Sequence, residues 1–222
     1  MAGAAVRRKA THDRRKVRAV AAGETAVALR RVDAGAEPRS LRPMAPRATV
    51  YKAQLNVTDI DRNYYADHAL TIACHPSETE ERLMLRVLAF ALNAQEGLAF
   101  GKGISEEDEP DLWAKDLTGR VLTWIEIGHP DDRAILRACG KSDQVVVYAT
   151  NANASAWWAS LEHKLARAKN LRVVAVSPAS REALGQLAAR SMDLAVTIQD
   201  GDVWVRTPSE SMQVTLTELR TP

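Results

Sequence analysis

The sequence predicts an α+β domain over residues 47–222, built as a central mixed sheet flanked by helices with a β-hairpin at its N-terminal end. Two observations lead there. From Ala48 onward, short runs rich in Val, Ile and aromatic residues alternate with segments of helical periodicity, with no internal repeat among them. The run Arg120 to Ile127 is apolar on both faces, with Val121, Ile125 and Ile127 to one side and Leu122 and Trp124 to the other. Such a strand belongs to the middle of a sheet covered on both sides.

The elements follow in order. Thr49–Val57 and His68–Cys74 have strand composition and flank a turn-like Asp59–Asn63, which makes a hairpin. Ser77 can cap a helix and Glu80, three residues on, can close a capping box, so a helix is expected to about Ala94. Its stripes, Leu83, Val87, Phe90 and Ala91 beside Leu85, Leu88 and Leu92, predict one broad buried face. Leu98–Ile104 reads as a short strand, and a second short strand leads into a Thr118-Gly119 reversal before the strand that ends at Ile127. Pro130–Ala138 is a helix, Gln144–Ala149 a buried strand, Ala154–Ala168 a helix, Leu171–Val176 a strand and Ser180–Arg190 a helix. Leu194–Ile198 and Val203–Val205 then pair around Asp200-Gly201, the signature of a tight turn.

Charge is unevenly spread. Of 30 Lys/Arg and 28 Asp/Glu, 11 and 4 lie in residues 1–43, leaving 19 basic and 24 acidic residues in the remainder. The first 46 residues read as a disordered basic extension or as sequence ahead of a misassigned start, with Met44 the natural first residue. Two cysteines without a Cys-x-x-Cys pair, no secretory segment and no apolar run near the ~20 residues of a membrane span point to a cytoplasmic protein. No phosphate-binding glycine loop, nucleophile elbow or His/Cys constellation is present.

Glu126 stands out, because a carboxylate in a strand that is apolar on both faces costs several kcal/mol without compensation. Its partner could be an arginine such as Arg82 or Arg120, or a metal ion shared with other acids. Helix, strand, strand, strand, helix, strand from Ser77 to Tyr148 resembles the core of the PD-(D/E)XK, restriction-endonuclease-like nucleases. In that core an acid on the second strand and an acid and a lysine on the third hold a divalent metal. Here Asp108, Glu109 or Asp111 precede the second strand, Glu126 lies on the third, and Gly128 stands in place of the lysine. Lys52 and Lys141 are the candidate substitutes.

More specific runs resemble the YaeQ family of bacterial proteins: R-A-T-V-Y-K at 47–52, H-P-S-E-T-E-E-R at 75–82, D-E-P at 108–110 with Trp113, W-I-E-I-G at 124–128 and I-Q-D-G at 198–201. The resemblance implies a compact PD-(D/E)XK variant of unestablished activity, loosely linked to transcription antitermination. It places the family acids on Asp108, Glu109, Glu126 and the helix residue Glu81, and it does not require Asp111. These oxygen ligands suit Mg²⁺ or Mn²⁺, which would activate a water beside a DNA or RNA phosphodiester. Structural uses stand beside each role: Glu80 in the capping box, Asp108 and Glu109 in a solvated acidic loop, His75 and His129 before prolines, and Trp157, Trp158 and Trp204 as core or partly buried surface. The two function classes are therefore a divalent-metal phosphodiesterase and a non-catalytic descendant that binds nucleic acid or a protein partner.

Overall fold

A computed structural model describes residues 48–102, 109–150 and 153–222. The basic leader and Asp108 therefore lie outside the described residues. Eleven strands fall into two sheets among them, where the sequence suggested one. The first sheet has five strands in the order β10-β9-β8-β1-β2, formed by β1 (Thr49–Asp59), β2 (Tyr64–Cys74), β8 (Ser191–Gln199), β9 (Asp202–Arg206) and β10 (Ser211–Val214). The second has six in the order β11-β7-β6-β5-β4-β3, formed by β3 (Leu98–Phe100), β4 (Leu112–Lys115), β5 (Val121–Ile127), β6 (Ser142–Ala149), β7 (Leu171–Val176) and β11 (Leu216–Arg220). The expected hairpin is real and longer than predicted, but it is no appendage. Its first strand is the parallel partner of β8, with Lys52 opposite Ser191.

The helix α1 (Glu80–Leu92) lies between the sheets and is buried along every residue from Leu83 to Ala91. The inner residues of β1, such as Leu55 and Val57, and those of β5 and β6, such as Ile125 and Val146, join it in one core. Burial on all sides replaces the single broad face that the periodicity suggested, and even Arg86 is 1% exposed. A second core lies on the other side of the six-stranded sheet. There Trp124, Val145 and Val147 pack with α2 (Asp132–Lys141), α3 (Ala154–Leu161) and the turns that follow it. The helix α4 (Pro178–Gln186) packs beside α1 so closely that a Cβ on Gly185 would meet Glu81 Cγ at 2.7 Å.

Several boundaries correct the sequence reading. α1 is capped by Thr79, whose side chain accepts from the Arg82 backbone N–H, and not by Ser77. Ser77 instead turns its hydroxyl to His75 Nδ1 at 2.7 Å, and Glu80 accepts from Tyr51 Oη rather than closing a capping box. Thr79→Ala should therefore lower stability by about 1 kcal/mol, the usual worth of such a cap. Ser77→Ala should change it little, and urea unfolding of the two variants checks the assignment. Strand β3 is three residues long, and α3 stops at Leu161 where a helix to Ala168 was expected. The pairs Ala114–Thr123 and Lys115–Val121 enclose an irregularity that turns Val121 toward the Trp124 side.

Candidate functional site

Antiparallel pairing of β4 with β5 puts Trp113 opposite Trp124 and Leu112 opposite Ile125. One residue beyond this last pair on each strand stand Asp111 and Glu126. Asp111 precedes β4 and turns its carboxylate to the Ile127 backbone N–H and to Arg82 of α1, while Glu126 shares the face of Trp124. The acid whose charge acts on Glu126 is Asp111, which the family resemblance had ranked below Asp108 and Glu109. Asp111 is 4% exposed. Its Oδ2 accepts from the Ile127 backbone N–H at 2.8 Å and its Oδ1 from Arg82 Nη2 at 2.7 Å.

Glu126 is half-buried, and its compensation comes from within its own strand. The Trp124 indole N–H donates to Oε1 at 2.8 Å, as the i, i+2 spacing of a strand allows. Burial is the main reason its pKa climbs from 4.5 to about 7. The indole hydrogen bond opposes that rise, the Asp111 charge adds to it, and the Arg82 charge opposes it more weakly than either. Glu126 is therefore poised to take or lose a proton near neutrality, a property common at functional sites.

Arg82 is the hub. Its Nη1 reaches Glu78 Oε1 at 3.2 Å while Nη2 bonds Asp111 and lies 3.4 Å from the Ile127 carbonyl oxygen. Glu78 also receives Arg86, so a chain Asp111–Arg82–Glu78–Arg86 ties the start of α1 to the two strands. Next to it opens a small cleft of about 240 Å³ lined by Thr79, Glu81, Arg82, Gly128, Thr150 and Arg181 among others. Glu81 Oε2 lies 2.8 Å from Arg181 Nε, an ion pair by distance whose angle falls short of a hydrogen bond. His129 Nε2 accepts from the Thr150 N–H, and burial, with Arg181 nearby, lowers its pKa.

The remaining sequence candidates are dispersed. Glu109 turns to Lys102, taking its backbone N–H and its Nζ at 3.3 and 3.2 Å. Lys52 is exposed on the outer face of the other sheet, so the fold does not bring it to Glu126. Lys141 closes α2 and sits 5.8 Å from the Trp124 ring centroid, on the same side as Glu126. Gly128 has φ +126°, a conformation that side-chain-bearing residues rarely adopt. A lysine at that position is thus opposed by the backbone itself.

These residues do not fit a divalent ion as they stand. Asp111 and the Ile127 carbonyl already face a guanidinium nitrogen, Glu81 faces Arg181 and Glu109 faces Lys102. Among the described residues no three His, Cys, Asp or Glu side chains are grouped to hold a metal.

Comparison with known proteins decides the kinship. The family model "YaeQ protein" matches residues 44–216. The chain belongs to the YaeQ family. An uncharacterized YaeQ protein of Salmonella typhi is 42% identical over 81% of this chain and 99% of its own length, and that of Escherichia coli K12 is 39% identical over the same shares. The crystal structure of a YaeQ protein from Xanthomonas axonopodis pv. citri is similar with a TM-score of 0.77 at 45% identity, covering 79% of this chain and 99% of that one. A YaeQ structure from Pseudomonas syringae gives 0.76 at 37% identity, with 79% and 97% covered. The match to these structures supports the mixed α+β fold, and among the described residues no helix is long and apolar enough to cross a membrane.

Proposed function

We propose that this YaeQ-family chain is a non-catalytic descendant of the PD-(D/E)XK nuclease fold, one that acts by binding a partner rather than by metal-dependent phosphodiester hydrolysis. A single observation carries the reading: the guanidinium of Arg82 stands on Asp111 Oδ1 and faces the Ile127 carbonyl, the oxygens that a hard divalent ion beside Glu126 would need. A cation is already built into the place. The backbone of Gly128 supports the same reading by disfavouring the nuclease lysine. The 24 acidic against 19 basic residues beyond the leader favour a protein partner, for instance in transcription, over the phosphate backbone of DNA or RNA.

Thermal unfolding with and without Mn²⁺ tests this. The wild type and Glu126→Gln should melt at unchanged temperatures on adding the ion. Arg82→Met, which opens the oxygens of Asp111, Glu126 and Ile127, should be stabilised by it, because binding to the native state raises the melting point. A rise in the wild type that Glu126→Gln abolishes would overturn the proposal.

The second reading is a Mg²⁺- or Mn²⁺-dependent nuclease, favoured by the Asp111 charge acting on Glu126 and by the raised Glu126 pKa. In that reading Glu126 and Asp111, joined by Glu81, Asp108 or Glu109, hold the ion and Lys141, beside the Trp124 ring, supplies the lysine. Mn²⁺-dependent cleavage of single-stranded DNA or RNA, lost in Glu126→Gln, would establish it.

A further inference from the structure

At the opposite end of α1 from Glu126, between the two sheets, lies a cavity of about 310 Å³. Leu92 at the end of α1, Ile198 and Val203 of the five-stranded sheet and Leu216 of the six-stranded sheet give it apolar walls. Tyr148, Arg172 and Glu218 supply a polar side, with Asp59, Asp61 and Arg62 across from them.

The hydrogen bonds here leave a consistent remainder. Each carboxylate is already engaged: Asp59 takes the backbone N–H and Nε of Arg62, Asp61 takes the N–H groups of Asp200 and Gly201, and Glu218 takes Nε and Nη2 of Arg172. Arg62 directs its Nη atoms at the Ala94 and Ala91 carbonyls and so caps the end of α1. Two donors remain. Tyr148 is 2% exposed, and its Oη accepts from Asn93 Nδ2 at 2.7 Å, while no acceptor among the described residues meets its own proton. A buried hydroxyl normally spends both capacities. Arg172 Nη1 likewise has no acceptor among the described residues, although Nε and Nη2 of the same group are held by Glu218. Burial keeps the Tyr148 phenol in its protonated, donating form at neutral pH.

We propose that this cavity is a binding site for a small monocarboxylate with an apolar body, whose carboxylate accepts from Tyr148 Oη–H and Arg172 Nη1–H while its chain lies against Leu92, Ile198, Val203 and Leu216. A guanidinium with one free edge and a preoriented phenol are the donors that a desolvated carboxylate requires. The volume falls at the lower end of small-molecule sites, which fits a body of a few carbons. The site is separate from the acid pair and does not rest on the reading of its function.

Titration calorimetry of the full chain with hexanoate, hexanamide and hexylamine tests the proposal. Hexanoate should bind saturably and hexylamine should not. Tyr148→Phe, which removes one oxygen and keeps the ring, should weaken hexanoate about tenfold, the usual effect of losing a hydrogen bond to a charged group. Arg172→Met should weaken hexanoate more than hexanamide, whereas Glu126→Gln should leave hexanoate binding unchanged. Absence of saturable binding, equal affinity for hexylamine, or an unaltered affinity in Tyr148→Phe would each overturn it, and tighter binding of hexanamide would overturn the carboxylate assignment.

Discussion

Arg82→Met should destabilise the protein by about 3 kcal/mol, because it strips the cation from two carboxylates that cannot reach water. Asp111 and Glu78 have side chains only 3% and 1% exposed. Removing one partner of a buried ion pair generally costs about 3–5 kcal/mol, and most of that cost comes from the charge left buried without compensation. The lower end applies here, since Arg86 still serves Glu78 and the Ile127 N–H still serves Asp111. Asp111→Asn made in the Arg82→Met background should therefore recover stability, giving a favourable coupling in a double-mutant cycle. Arg82→Lys should fall between, for one ammonium cannot span Glu78 and Asp111 as the two Nη atoms do. Urea denaturation of the wild type and these variants, with Asp111→Asn alone to close the cycle, decides the matter, and strictly additive losses would mean that Arg82 acts through packing alone.

Glu126→Gln should stabilise the protein at pH 8 and leave it nearly unchanged at pH 4. The free carboxyl titrates near 4.5 and the folded one near 7. Between those values the native state holds a proton that the unfolded state has released, so stability falls as pH rises through the window and levels off above it. Gln has no proton to lose, and its carbonyl still accepts from the Trp124 indole. The variant should lead by on the order of 2 kcal/mol above pH 7, below the full value of such a shift because the side chain is only partly buried. Melting temperatures of both proteins from pH 4 to 8 provide the check, and parallel profiles would show that Glu126 ionises as an ordinary surface acid.

Local pattern carried much of this structure. Strand composition around a turn foretold β1 and β2, the Asp200-Gly201 turn foretold the β8–β9 hairpin, and the range of β7 was read correctly. The division into two sheets was not legible, because it depends on β8 lying beside β1, a pairing of distant segments that no local period encodes. Strands β10 and β11 are short and weakly alternating, so they left little trace. Arg86 gave α1 a polar residue that the pattern places outside, whereas Glu78 lets it lie inside. At the site, the need of Glu126 for a partner was legible and the partner was not foreseen, although Trp124 stands two residues away on the same face. Asp111 was within reach of the same logic. Folding the chain back about Thr118-Gly119 sets Leu112 across from Ile125, so Asp111 and Glu126 each follow directly on that last pair.

The parallel pairing of β1 with β8 also bears on how the molecule is made. Lys52 must wait for Ser191 before that side of its strand is satisfied, so on the ribosome the hairpin emerges long before its neighbour is synthesised. Until then β1 offers eleven residues of open, apolar-faced backbone to any passing strand, the kind of exposure that invites aggregation. Truncations after β7 should consequently yield insoluble protein rather than a smaller folded unit, and β8 acts as the lock that completes a sheet begun by β1.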